Sequence, residues 1–360
     1  MPKLTRTAAR TGRGAASNPP GRFETTRAEL ADDGWGTLDE ELPPFETTVA
    51  PEPARTIISH NRSPDIPFDQ SINPYKGCEH GCIYCYARPS HAYLNLSPGL
   101  DFETKLFYKP DAARLLEQEL ARPGYVCSPI TIGANTDPYQ PIEKRYRVTR
   151  SIIEVLAKYR HPFSIITKSA LIERDIDLLA PLAADNLVHA FVSVTTLDNV
   201  LKRTLEPRTS SPAARLRAIR TLSEAGVPVG VMVAPVIPVL TDSELERILE
   251  AAAAAGARSA GYVVLRLPHE LNALFREWLE LNEPLKAKHV LVRLNELHGG
   301  RDYDSSWGRR QSGQGVYAEL LRRRFTVACA RFGLSTGERF VYNVSAFRPP
   351  RSGPEQLSLI

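Results

Sequence analysis

Five short apolar runs recur through the middle of the chain, at 130–135, 163–168, 188–196, 227–235 and 260–268. They are rich in Val and Ile, and most lack a clean alternation of apolar and polar positions. Strands buried on both faces of a parallel sheet read this way. A weaker run at about 67–73 predicts one more strand ahead of them.

Helical patterns fill the intervals. After Ser211, Pro212 stands at a first helical position, Leu216, Ile219 and Leu222 repeat at helical spacing, and Gly226 closes the segment. Thr241 with Glu244 three positions on predicts a capping box. Leu245, Ile248, Leu249 and Ala252 then form an inner stripe that ends at Gly256. Beyond about 285 the pattern predicts one helix and then a polar Gly/Ser loop. A last helix carries Tyr317, Leu320, Leu321, Phe325, Ala328 and Cys329 along one side, and the tail from Pro349 reads as loose.

Repeated βα units of roughly 30 residues imply parallel strands joined by right-handed crossovers. Six strands are too few for a complete eight-stranded barrel. The expected class is α/β, either a partial (β/α)6 TIM-like barrel or a doubly wound sheet, with chemistry at the strand C-termini in both. The expected organisation is an extended, mostly disordered arm over 1–56, a core domain over 57–300, and a C-terminal loop, helix and tail over 301–360. The arm is rich in Pro, Gly and Arg. Loose tail and segment docked on the domain or on a polyanion are equally weighted readings of it.

With 42% hydrophobic and 24% charged residues, the 360-residue chain has an ordinary globular balance. It holds no run of 18 consecutive apolar residues, which speaks against a membrane span. The first residues lack the apolar core of a secretory signal, and their Pro and Gly content argues against a transit helix. A net charge of +4 permits a polyanionic partner without requiring one.

Three of the five cysteines lie within eight residues, as Cys78-x3-Cys82-x2-Cys85 in the segment NPYKGCEHGCIYCYA. An odd total and this clustering point to a metal site in a reducing compartment, such as the cytoplasm, rather than to disulfides. Three thiolates on a short loop suit a [4Fe–4S] cluster with one iron left open. A structural zinc site recruiting His80 or His91 competes, although zinc usually takes two separated ligand pairs. Unrelated buried cysteines are the least favoured alternative. Cys127 and Cys329 read as small buried hydrophobes.

CxxxCxxC just after a first strand, with Tyr84 before the last cysteine, resembles the radical S-adenosylmethionine (SAM) superfamily. Together with TDPYQPIE and the arm RTGRGAASNPPGRFE followed by DDGW, it resembles a bacterial subfamily of the branch related to spore photoproduct lyase, labelled DNA repair photolyase-like. The resemblance spans about residues 10 to 345. It implies a partial barrel, a [4Fe–4S] cluster on Cys78, Cys82 and Cys85, and SAM chelated to the open iron. It also implies reductive cleavage of SAM to a 5′-deoxyadenosyl radical that abstracts hydrogen from a substrate. A flavodoxin- or ferredoxin-type electron donor follows as a partner.

The same resemblance assigns roles at the strand ends. Asn135, Thr136 and Asp137 would meet the methionyl ammonium, though Asn and Asp also favour helix starts. Lys168 and Ser169 would take the methionyl carboxylate and ribose, against a solvated lysine and a capping serine. Tyr84 would pack the cluster, and Ser193 would border the cofactor. Glu206 and Arg208 would pair over the cofactor, with a surface salt bridge as the equal alternative. Ala234 and Pro235 would contact adenine. Arg266 and Tyr86 are the candidates for direct work on the substrate. In the photoproduct-splitting relatives a cysteine at the end of the second strand quenches the substrate radical; here that place is Asn135, so that particular reaction is not carried over. A nucleic acid substrate is suggested by the relatives, by the basic arm, and by Arg309, Arg310 and Arg322–Arg324. A small molecule, peptide or protein is the alternative substrate, and a non-enzymatic metal scaffold is the third reading. No oligomeric state is read from the sequence.

Overall fold

The computed structural model describes residues 12–24, 46–337 and 340–350. Ten strands lie in it: β1 (Thr48–Pro51), β2 (Ile58–His60), β3 (Gln70–Ile72), β4 (Tyr75–Lys76), β5 (Lys105–Tyr108), β6 (Ile130–Ile132), β7 (Phe163–Thr167), β8 (Val188–Ser193), β9 (Val229–Val236) and β10 (Ser259–Val264). The main sheet runs β10-β9-β8-β7-β6-β3-β2. From β3 to β10 every pair is parallel, and neighbours in the sheet are consecutive βα repeats. The six strands expected from the apolar runs are those six. The open, sequential order is that of a partial (β/α)6 TIM-like barrel, not of a doubly wound sheet. β2 adds an antiparallel edge, and β1, β5 and β4 form a second small sheet.

β7, β8 and β9 are buried along nearly their whole length, whereas β10, at the end of the sheet, is half-buried. Its outer edge is covered by the C-terminal segment. Ala260 N donates to Ser335 O, Val264 N donates to Gln311 O, and the Tyr262 ring lies tilted against Phe325 of the helix Gly315–Phe332 at 4.7 Å. Covering an edge in this way removes an unpaired ladder from solvent. In that last helix Leu321, Phe325, Ala328 and Cys329 face the core as expected; Leu320 does not and is half exposed.

Two helix starts differ in outcome. Ser211 caps the helix Pro212–Glu224 by accepting from Ala214 N, as the sequence implies. The Thr241–Glu244 capping box is absent. Thr241 Oγ1 instead accepts from Ile237 N, and Glu244 reaches across to accept from Thr196 Oγ1 and Leu197 N. A tertiary acceptor role has displaced the local one. In Pro212–Glu224 the core-facing stripe is also turned toward Arg215, which is fully buried, while Leu216 is only partly covered.

The arm takes the docked reading where it is described. Arg13, Gly14, Ala15 and Ala16 are buried, and Thr48–Pro51 pairs in parallel with β5. Packing is thus seen at 13–16 and strand pairing at 48–51, while 22–24 are exposed; residues 1–11 and 25–45 lie outside the described residues, as does the tail from 351. The basic runs are largely neutralised from within. Arg22 pairs with Glu270, Arg310 with Asp65, Arg322 with Glu319 and Arg324 with Glu246. They are helix and loop ion pairs, which weakens the case for a polyanion-binding face. Among the described residues no helix is long and apolar enough to cross a membrane.

Candidate functional site

The cysteine loop follows β4 and has little regular structure, so its backbone must find other partners. Cys78 N donates to Phe102 O at 2.9 Å, and Ile83 N donates to Leu205 O at 3.1 Å. Gln140, fully buried in the TDPYQP segment, donates to Gly77 O at 3.1 Å and accepts from Glu79 N at 2.8 Å. Arg88, also fully buried, donates to Gly81 O, Cys82 O, Pro98 O, Gly99 O and the Glu103 carboxylate. All of its donor directions are used. Gly77 and Gly81 both have positive φ, +72° and +67°, and a β-carbon on Gly77 would stand 2.9 Å from Phe102 O. These two turns admit only glycine without strain.

The loop sits at the C-terminal ends of the strands. Tyr84 OH donates to Glu206 and lies 3.2 Å from Thr195 Oγ1, just past β8. Tyr86 OH donates to Ala134 O, just past β6. The Arg266 guanidinium, just past β10, stands 4.3 Å from the Tyr86 ring centroid. Tyr84 is buried and Tyr86 is 43% exposed, so of these two aromatic residues only Tyr86 lies open to an approaching molecule.

Asp137 ties two strand ends together. Its oxygens accept from Tyr139 N at 2.9 Å, Thr167 Oγ1 at 2.7 Å and Lys168 N at 2.7 Å. Burial alone would raise this carboxyl. The His80 imidazole beside it and the hydrogen bonds from Lys168 and Thr167 outweigh that, and it is held below the usual carboxylate range. His80 Nδ1 lies 3.4 Å from Asp137 Oδ2 but is not aligned for a hydrogen bond. Thr136 Oγ1 donates to Tyr75 O, and Asn73 Oδ1 accepts from both Asn135 N and Thr136 N. Lys168 Nζ donates to Ala234 O at 3.1 Å and stands 5.8 Å from the Tyr84 ring centroid. It is thus not a solvated loop lysine. Ser169 is a cap, accepting from Leu171 N.

The Glu206–Arg208 pair expected over the cofactor does not form. Glu206 is fully buried against Arg215 and accepts from Tyr84 and Thr195 as well. Burial opposes its ionisation, but the charges of Arg215 and Lys168, with hydrogen bonds from Arg215 and Tyr84, hold it at about 2. Arg208 points outward and pairs with Glu79 at 2.6 Å. A one-turn spacing allowed the first pairing; the partner arriving from the next helix is closer and wholly desolvated. Ser193 O accepts from Arg215 Nη1 at 3.1 Å. Ala234, half-buried, and Pro235, buried and joined to it by a cis peptide, lie near the C-terminal end of β9.

The sequence reading missed Arg88, Gln140, Glu103 and Arg215. Two signals were present. Gln140 sits inside TDPYQPIE, Arg88 directly follows NPYKGCEHGCIYCYA, and Arg215 falls on the apolar face of its helix.

The donor set fits an iron–sulfur cluster. Cys85 packs against both the apolar cluster that includes Cys82 and the one that includes Cys78. Burial raises the Cys78 thiol well above its usual range, and Asp137, Cys85 and Cys82 add to this; burial raises Cys82 too, with Glu206 adding. Buried thiols crowded by negative charge favour a compensating cation, which deprotonates them on binding. Among the described residues no three of His, Cys, Asp and Glu surround a point that one metal ion would occupy. Cluster thiolates each bind a different iron and stand around a larger volume.

A sequential parallel sheet with a three-cysteine loop over its C-terminal mouth defines a cofactor-dependent α/β protein. Comparison with known proteins carries this further. The model of the Radical SAM superfamily matches residues 72–252. An uncharacterized protein of Mycobacterium tuberculosis is 38% identical over 276 residues, which is 76% of this chain and 77% of that protein. An uncharacterized protein of Methanocaldococcus jannaschii is 28% identical over 220 residues, or 61% of this chain and 74% of the relative. Spore photoproduct lyase complexed with dinucleoside spore photoproduct superposes with a TM-score of 0.53 at 17% identity, covering 79% of this chain and 80% of that one. This last likeness is one of fold. The chain belongs to the radical SAM superfamily. The superfamily's cofactors, a [4Fe–4S] cluster and SAM, replace the zinc alternative.

Proposed function

We propose that this protein is a radical SAM enzyme in which Cys78, Cys82 and Cys85 hold the cluster and SAM lies across the strand ends beside it. When bound and reduced by a flavodoxin- or ferredoxin-type donor, the cluster supplies one electron to the sulfonium, giving methionine and a 5′-deoxyadenosyl radical able to take hydrogen from a substrate. The observation that carries this reading is the anchoring of the loop. Gln140 and Arg88 clamp its backbone while Tyr84 and Tyr86 reach to the ends of β8 and β6.

The strand-end residues then divide the work. Asp137 holds the ends of β6 and β7 in register rather than offering a free carboxylate, which leaves Asn135 and Thr136 to border the methionyl ammonium. Lys168 supplies a cation for the methionyl carboxylate. Ser193, Ala234 and Pro235 border the nucleoside. Tyr84 is held by Glu206 as a packing wall, while Ser169, Glu206 and Arg208 act on the protein itself. Arg266 has no carboxylate partner among the described residues. Beside the half-exposed Tyr86 it is suited to an anionic group of the substrate, whether a carboxylate or the phosphate of a nucleic acid lesion.

Anaerobic reconstitution tests the reading. About four irons per chain are expected, with slow release of 5′-deoxyadenosine from SAM after reduction. Cys82→Ala is expected to lose both. Undiminished 5′-deoxyadenosine formation in that variant overturns the assignment.

A further inference from the structure

The N-terminal arm crosses the cysteine loop in direct backbone contact. A β-carbon on Gly14 would stand 1.8 Å from Gly81 O and 3.2 Å from Ile83 N. On the facing side, a β-carbon on Gly81 would stand 2.7 Å from Glu103 Oε2. Neither chain can carry a side chain where they meet.

Glu103 binds the two together. It is fully buried. Oε2 accepts from Gly14 N at 3.0 Å, and Oε1 accepts from Ala15 N at 2.9 Å. The same carboxylate receives Arg88, whose other donors hold Gly81 O and Cys82 O. One buried ion pair therefore grips the arm with its anion and the cysteine loop with its cation. Charge-assisted bonds of this kind, made away from water, are strong and directional.

Further ties fix the arm on both sides of the crossing. Arg208 Nε donates to Gly12 O at 3.1 Å, and its other end pairs with Glu79 of the cysteine loop. Leu100 N donates to Ser17 O at 3.2 Å, and Asn18 exchanges two hydrogen bonds with Asp101. Ala15 is 1% exposed and belongs to the same apolar cluster as Cys82, Ile83 and Tyr84.

We infer that residues 12–19 form a strap that belongs to the cluster site, with Gly14 and Glu103 as positioning residues that keep Cys82 covered and retain the iron–sulfur group. The retention half rests on the reading of the three cysteines as cluster ligands. The covering half rests only on the contacts above. A strap of this kind opens by local unfolding, so its loss raises the exposed fraction of the loop without unfolding the sheet.

The test compares the wild-type chain, Gly14→Ala, and a form lacking residues 1–24, each with its fold checked by thermal denaturation. In the metal-free proteins, alkylation of individual cysteines by N-ethylmaleimide is followed by peptide mass spectrometry, with Cys329 as an internal reference. Cys82 is expected to react at least about tenfold faster in both altered forms, with Cys329 unchanged. After loading with iron and sulfide, both are expected to release iron to a chelator faster by a similar factor. A synthetic peptide of residues 12–24 is expected to slow both rates in the truncated form. If truncation unfolds the protein, Gly14→Ala decides alone. Wild-type rates of alkylation and iron release in Gly14→Ala overturn the strap. Faster Cys82 alkylation in a protein whose wild type takes up no iron supports the strap over the loop and overturns the cluster assignment.

Discussion

Arg215 and Glu206 form an ion pair in which both side chains are fully buried, and Glu206 passes the constraint on to Tyr84 beside the cysteines. Arg215→Met removes the cation and leaves a buried carboxylate. We expect a loss of about 3–5 kcal/mol in urea unfolding. Glu206→Gln keeps an acceptor for Tyr84 and Thr195 but leaves the Arg215 cation buried without its counter-ion, and is expected to cost a comparable amount, about 3–5 kcal/mol. Equal stability of wild type and Arg215→Met contradicts this account.

Acid acts on the fold through two buried histidines. Burial lowers His161 and His189 to about 4, whereas histidines in an unfolded chain titrate near about 6.5. Between those values the unfolded chain binds more protons than the folded one. Stability is therefore lost as pH falls through that window and recovered as it rises. His189, whose ring lies tilted against those of Phe191 at 4.4 Å and Phe340 at 4.9 Å, is the cleaner probe. His189→Phe is expected to flatten the slope by up to about 1.4 kcal/mol per pH unit. Unfolding curves at stepped pH provide the measurement, and an unchanged slope counts against the prediction.

Lys168 offers a half-buried ammonium at the end of β7, fixed by Ala234 O. Lys168→Met is expected to weaken SAM binding by about tenfold while leaving the iron content of the reconstituted protein unchanged. Equilibrium dialysis with labelled SAM measures it. Loss of iron together with affinity would instead mark Lys168 as a support of the loop.

Gly230 lets β8 and β10 pack beside β9. A β-carbon there would stand 2.4 Å from Ser259 Oγ and 2.5 Å from Phe191 Cε1. Gly230→Ala is expected to cost about 1–3 kcal/mol through overpacking, seen as a lower melting temperature. A melting temperature at or above wild type shows that the neighbours yield.

Much of the fold was legible because it follows local rules. Apolar runs, their spacing and the Ser211-Pro212 start placed six parallel strands and one capped helix correctly. The Thr241–Glu244 box failed because Glu244 found a tertiary donor, Thr196 Oγ1, which local pattern cannot reveal. Leu320 failed because one helical position decides between core and solvent. The arm was divided evenly between loose and docked, since its contacts are backbone groups bound by a remote carboxylate and leave no apolar period.

The sequence by itself determined the alternation of strand and helix, the three clustered cysteines and the turns that only glycine can make, because each depends on residues close together in the chain. Tertiary structure alone decided which charges meet: Glu206 with Arg215 rather than Arg208, Glu79 with Arg208, and Glu103 with both Arg88 and the arm. Ion pairing depends on distance and desolvation in three dimensions, and spacing along the chain fixes neither.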